Sequence, residues 1–251
     1  PSGRYDLHEL VRQYASQQLT ASGVFDVVQK CYTQYFLRFT DEVRSGSEGA
    51  QPTKWMAQVE QEIDNLRAVL KWSSQHAPDD GMRMILNLYW LWQSRSYLHE
   101  GRNWLALMLA HAGSLSPAIR AEAYDRAGFL AVVMNRIEEA EGLFAQSLAL
   151  YQQLDAMDRQ VAGGLANALN HLGVVALFRG DFPQAVQLCH QGLAVAQRGG
   201  VQMRASAALF FAGEAFYLQG LFAQSKSSYE ESINLCDAAF NLRENGHRLG
   251  R

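Results

Sequence analysis

The sequence predicts an all-α fold: a superhelical solenoid of stacked helix pairs, preceded by a small helical adaptor. Three observations carry this. A residue pattern occurs three times, with an apolar residue before Gly128, Gly173 and Gly213 and a small or aromatic residue three positions beyond. Twelve positions past each glycine stands Ala140, Ala185 or Ser225, then Phe144, Cys189 or Tyr229, then Ser147, Gly192 or Ser232. Elsewhere the apolar residues recur at helical spacing. Finally, 48% of the 251 residues are apolar and only five are proline, enough apolar surface for an extended core with few interruptions.

Element by element, residues 1–19 open as a polar entry into a helix with Leu7, Leu10, Val11, Tyr14 and Leu19 on one face. A second helix is expected over 24–43, from Val27, Val28, Cys31, Tyr35 and Phe39. The Ser-, Gly- and Pro-containing stretch 44–53 reads as a loop. Trp55, Val59, Ile63, Leu66, Leu70 and Trp72 then define an amphipathic helix ending before Pro78. Residues 81–92 and 97–112 are expected to pair as a degenerate first repeat, with Gly101 at the small helix-B position. Three clearer repeats follow near 117–154, 159–198 and 201–240. The expected organisation is therefore an adaptor over 1–50, a linker helix and degenerate repeat over 54–112, repeats over 117–240, and a linker toward a further repeat over 241–251.

The glycines lie 45 and 40 residues apart (173 less 128, 213 less 173). That period and its small-residue pattern resemble the tetratricopeptide repeat, whose helix pairs must stack to bury their apolar faces. Small residues at both crossing positions permit close helix packing. Gly180 and Gly220 fall at inter-helix turns, where a left-handed backbone suits glycine. The resemblance implies that the first helix of each pair lines a concave surface through positions three before the glycine and one, four and five after it. These are Asp125, Phe129, Val132 and Val133, then Asn170, Val174, Leu177 and Phe178, then Phe210, Glu214, Tyr217 and Leu218. The expected groove is apolar and aromatic, with Asp125, Asn170 and Glu214 free to orient a ligand. None of the twelve is lysine or arginine, which disfavours capture of a peptide carboxylate.

Two segments outside the repeats narrow the reading. Arg4-Tyr5-Asp6-Leu7-His8-Glu9-Leu10-Val11-Arg12-Gln13-Tyr14-Ala15 resembles the end of the winged-helix domain in signal-transduction NTPases of the STAND class, the NB-ARC-like bacterial regulators. Residues 60–72 and 97–105 are similar to the helix and degenerate repeat that follow it there, in the same order. The resemblance implies a C-terminal sensor region that binds a protein, peptide or small-molecule inducer while an upstream NTPase domain holds ATP or ADP. It also implies that His8 approaches the bound diphosphate in the full-length protein. No phosphate-loop motif G-x-x-x-x-G-K-[ST] occurs in this chain, so no nucleotide cofactor is expected on it. A self-association module, forming homo-oligomers, is the alternative reading.

No catalytic or metal site is expected. His8-Glu9 lacks a second histidine at Arg12, and His99-Glu100 lacks one at Asn103. Cys189 and His190 are helical neighbours pointing in different directions, so they make no nucleophile–base pair. His171 and His190 read as partly exposed helix residues. The net charge of −3, with no basic stripe, predicts no direct nucleic-acid contact. Three scattered cysteines and an N-terminus broken by charge predict a cytoplasmic chain. Membrane association is not expected, because the apolar stretch 163–178 carries Asn167, Asn170 and His171.

Overall fold

Helices account for the whole architecture. The computed structural model describes residues 8–47, 52–94, 97–155 and 157–249, and no strand occurs among them. The chain divides into two units, Pro1–Leu88 and Tyr89–Arg251.

The first unit contains α1 (Glu9–Ala21), α2 (Phe25–Ser47), α3 (Pro52–His76) and α4 (Pro78–Asn87). Helices α2, α3 and α4 pack on one another, with Phe36, Val59, Leu66, Leu70 and Ile85 buried. A polar tie adds direction to that apolar contact. The buried Asn87 donates to the Asp41 carboxylate at 2.7 Å and to the Thr40 hydroxyl at 3.3 Å, and accepts from Arg44 at 3.3 Å. Leu10, Val11 and Tyr14, expected as one apolar face of α1, are exposed. Leu7 lies outside the described residues.

Two boundaries differ from expectation. The expected loop 44–53 is helical through Ser47, because Arg44 is anchored to Asn87. Residues 48–51 lie outside the described part. The expected helix 81–92 is two helices divided at Leu88, whose φ of −96° and ψ of 11° leave helical geometry. Helix α4 packs with α2 and α3, so the degenerate pair is only α5 (Tyr89–Ser94) with α6 (Leu98–Leu109). Within it Gly101 meets Trp92, since a Cβ there would lie 2.7 Å from the Trp92 Cβ.

The repeats are α7 (Pro117–Val133) with α8 (Ile137–Tyr151), α9 (Arg159–Arg179) with α10 (Phe182–Arg198), and α11 (Gln202–Leu218) with α12 (Phe222–Leu249). The sequence pattern becomes a contact pattern. A Cβ on Gly128 would lie 2.7 Å from the Phe144 ring, on Gly173 2.8 Å from Cys189 Sγ, and on Gly213 2.7 Å from the Tyr229 ring. The third pattern position closes the far end of each crossing. Ser147 donates to the Ala121 carbonyl and Ser232 to the Ser206 carbonyl, both at 2.8 Å. Gly192 takes that place in the middle repeat, where a Cβ would be 3.1 Å from the Ala166 carbonyl oxygen.

The turn within each pair also repeats. Asn135, Gly180 and Gly220, each seven residues past the repeat glycine, have φ of 56°, 76° and 75°. The next amides bond five residues back, Arg136 to Ala131, Asp181 to Ala176 and Leu221 to Phe216. Asp158 and Asp181 cap α9 and α10 by accepting from their first-turn amides.

Helix α12 runs 28 residues, so the segment expected as a linker after residue 240 continues as helix through Leu249. Helix α9 is long and apolar enough to cross a membrane by composition, but most of that window is buried inside the protein.

The glycines at tight and open positions should respond oppositely. Gly173→Ala forces its methyl against Cys189 and the Ala185 carbonyl, and should destabilise by about 1–3 kcal/mol. Gly142→Ala, on the exposed side of α8 with open space around it, should stabilise by about 0.5–1 kcal/mol. Denaturant unfolding of both variants measures the difference.

Candidate partner-binding surface

The first helices of the repeats, α7, α9 and α11, carry all twelve expected groove residues, and their burial sorts them into three groups. Asp125 and Asn170, three positions before the glycine, are only 3% and 1% exposed. Each is covered by the first helix of the next repeat. Phe210 at the same position is 46% exposed and, among the described residues, meets the Phe211 and Tyr229 rings. The half-buried Phe129, Val132 and Leu177 pack against the buried clusters between helices, and Val174 is also half-buried. Glu214 is half-buried too. The exposed group is Phe210 with Val133, Phe178, Tyr217 and Leu218, the last four near the C-terminal ends of their helices.

The three polar residues expected to be free for a ligand are engaged internally, which corrects that expectation. Asp125 accepts from His171 Nδ1 and Asn167 Nδ2, both at 2.8 Å. Asn170 donates to the Arg204 carbonyl at 3.2 Å, and its amide oxygen lies where a side chain on Gly192 would stand. Glu214 accepts from the Tyr229 hydroxyl. His171, expected to be partly exposed, is buried beside the Phe129 and Phe144 rings. Its burial is tolerated because Asp125 supplies the hydrogen-bond partner that the apolar surroundings lack.

A charged cluster surrounds Asp125 and was not legible from the groove register. Arg126 pairs with Glu122 at 3.5 Å and lies over the Tyr89 ring, 4.9 Å from its centroid. Arg204, on α11, also acts electrostatically on this group. Burial opposes the charge on Asp125, but His171, Arg126 and Asn167 outweigh it and hold the carboxyl below its usual range. Burial likewise opposes Arg126, yet Asp125 and Glu122 prevail and raise its pKa. For Arg204 burial and the like charge of Arg126 win, and its pKa is lowered. Thus the arginines absent from the twelve positions stand beside them. The available signal was the register itself: Glu122 and Asn167 both lie six before the repeat glycine, and Arg126 and His171 two before.

The other candidates remain apart. His8 is exposed and caps α1, its Nδ1 accepting from the Leu10 amide at 3.4 Å; Arg4 to Leu7 lie outside the described residues. Cys189 is buried against Gly173, and burial pushes its thiol up to about 12, while the adjacent His190 is exposed. A thiol held neutral in this way is a poor nucleophile. Among the described residues no group of three or more metal-ligating side chains converges.

Comparisons with known proteins agree with this geometry. Residues 165–198, spanning most of α9 and all of α10, match the tetratricopeptide repeat family. A stretch of 125 residues, 48% of this chain, is 31% identical to proteins provisionally named HTH-type transcriptional regulators of Mycobacterium tuberculosis and Mycobacterium bovis. The match spans only 14% of the length of those regulators. Among solved structures, BtubC from P. vanneervenii aligns with a TM-score of 0.57 at 16% identity, over 85% of this chain and 92% of that one. MamA aligns with a TM-score of 0.52 at 16% identity, over 81% and 91%. A Podosopora anserina protein provisionally named kinesin light chain, with nearly identical TPR-like repeats, gives 0.56 at 14% identity over 84% and 95%. The fold is a tetratricopeptide-repeat fold, and such repeats point to protein partners.

The buried Asp125 makes stability depend on pH. Its folded pKa lies below the unfolded value, so its contribution is present above about pH 4 and fades as pH falls through the folded pKa. Asp125→Asn should cost about 3 kcal/mol at neutral pH, because His171 and Arg126 lose their carboxylate. The gap to the parent protein should narrow as pH drops below about 4. Chemical unfolding across pH 3–7 tests the slope.

Proposed function

We propose that this chain is the partner-sensing repeat module of a larger STAND-type transcriptional regulator. The observation carrying this reading is the row Val133, Phe178, Tyr217 and Leu218. These apolar side chains recur four or five positions past the repeat glycines and stay exposed on helices that are otherwise largely buried. The partial similarity to regulators and the interaction role of tetratricopeptide repeats support it. In this reading a protein or peptide inducer seats its apolar side chains on that row. The upstream NTPase domain holds ATP or ADP, approached by His8, and relays the binding event. Output to DNA rests with other parts of the regulator.

Aromatic anchors concentrate binding energy, typically about 2 kcal/mol each. Phe178→Ala and Tyr217→Ala in the full-length regulator should therefore each weaken inducer response roughly 30-fold. Both side chains are more than half exposed, so the melting temperature should barely move. An unchanged reporter response in both variants rejects the proposal.

A second reading is self-association. Phe210, Leu221, Phe222 and Ile233 are exposed apolar side chains on and between α11 and α12, a surface that contact with a second copy would bury. Under this reading light scattering of the chain alone shows a mass that rises with concentration, and Ile233→Glu abolishes the rise. A concentration-independent monomer mass excludes it.

A further inference from the structure

The first unit holds a cleft that the repeat reading leaves unused. Two adjoining hollows, of about 510 Å³ and about 310 Å³, lie between α2 and α3 and share Glu42 and Trp55. Three aromatic rings line them, Tyr35, Phe39 and Trp55, together with the carboxylates of Glu42 and Glu62. Among the described lining residues none is lysine, arginine or histidine.

The placement of these groups is specific. Trp55 does not enter the core; its indole lies against Gly46, where a Cβ would come within 2.1 Å of the ring nitrogen. The residue at 46 must lack a side chain for the ring to occupy that seat. Tyr35 is exposed and meets Phe36 edge-on at 5.1 Å, while Phe39 meets the same buried ring edge-on at 6.0 Å. Asp41, at the edge of the cleft, is already committed to Asn87 and Arg83. Glu62 accepts from Asn65 at 2.7 Å. Glu42 is exposed and, among the described residues, makes no hydrogen bond or ion pair, so its carboxylate stands solvated beside the aromatic faces.

Carboxylates and aromatic faces together suit a delocalised organic cation. A ring attracts a cation through its quadrupole, and the carboxylate supplies the counter-charge. A divalent metal is a poor fit, since such ions take six or more oxygen ligands and, among the described residues, no group of three or more ligating side chains converges. An alkylammonium is strongly hydrated and carries a point charge, whereas a guanidinium is planar, weakly hydrated and stacks on rings. We propose that the α2–α3 cleft binds a guanidinium group, placed among Trp55, Tyr35 and Phe39 with its charge matched by Glu42. Its source is either an arginine side chain of a partner protein or a small guanidino compound.

Calorimetric titration of the whole chain separates these sources. The probes are agmatine, the peptide acetyl-Gly-Arg-Gly-amide, and the same peptide with citrulline, which keeps the shape and removes the charge. Both guanidinium probes should bind with dissociation constants of roughly 0.1–5 mM, and the citrulline peptide should not. A peptide that binds about tenfold tighter than agmatine assigns the site to an arginine of a protein partner, and equal affinity assigns it to a small molecule. Glu42→Gln and Trp55→Ala should each weaken binding about fivefold, and Gly46→Ala should weaken it by displacing the indole. Circular dichroism accompanies each variant; should Trp55→Ala lose helical signal, the exposed Glu42→Gln decides alone. Equal binding of citrulline and arginine peptides overturns the proposal. So does full affinity in Glu42→Gln, or no heat from either guanidinium probe up to about 20 mM. Phe178→Ala should leave this binding unchanged, so its outcome is independent of the repeat surface.

Discussion

The close approach of two helix backbones at Gly128, Gly173 and Gly213 sets the geometry of the repeats. With hydrogen in place of a side chain, the first helix of each pair comes near enough for Phe144, Cys189 or Tyr229 to pack directly against it. Everything else in the repeat follows from that contact point. Seven residues later the chain must reverse, and a left-handed residue does so at Asn135, Gly180 and Gly220. At the far end of the crossing, Ser147 and Ser232 reach a carbonyl of the opposite helix, and Gly192 lets the helix come close where no hydroxyl is present. A bulkier group at the glycine would part the helices and cost both the apolar contact and these hydrogen bonds.

Stacking between repeats obeys a different constraint. Apolar contact alone tolerates sliding, because one alanine or leucine packs nearly as well as the next. The cluster of Asp125, Asn167 and His171 does not. Moving α9 by a turn along α7 would leave the Asp125 carboxylate buried without donors, at a cost of several kcal/mol. The gain from the pair itself is small, since desolvation offsets most of the attraction. Its effect is to make one register far better than its neighbours. Between α9 and α11 the same task falls to Asn170 and the Arg204 carbonyl.

The surfaces left over have opposite chemistry in the two units. On the repeats, the exposed residues Val133, Phe178, Tyr217 and Leu218 are apolar and the charges beneath them are internally matched. In the first unit the α2–α3 cleft is aromatic and carries the exposed Glu42 carboxylate. Apolar contacts bind with little dependence on salt, while a charged cleft loses affinity as salt screens it. A protein using both would therefore respond to ionic strength through only one of them.

The sequence by itself determined the helical class, the turns within the repeats and the small residues at the helix crossings, because those depend on residues close in the chain with strong local signals. A glycine twelve and sixteen residues before two packing partners, with a turn residue midway, leaves few arrangements open. The Asp158 and Asp181 caps and the left-handed Gly180 and Gly220 are equally local. Tertiary structure alone decided which polar groups are available. Asp125, Asn170 and Glu214 occupy groove positions in the repeat register, but their partners stand 46, 34 and 15 residues away. The division at Leu88 is of the same kind, since the apolar run from Met82 to Trp92 reads as continuous until α4 finds its neighbours in α2 and α3. Local spacing fixes which face of a helix a residue occupies; only the neighbouring helix decides whether that face meets water.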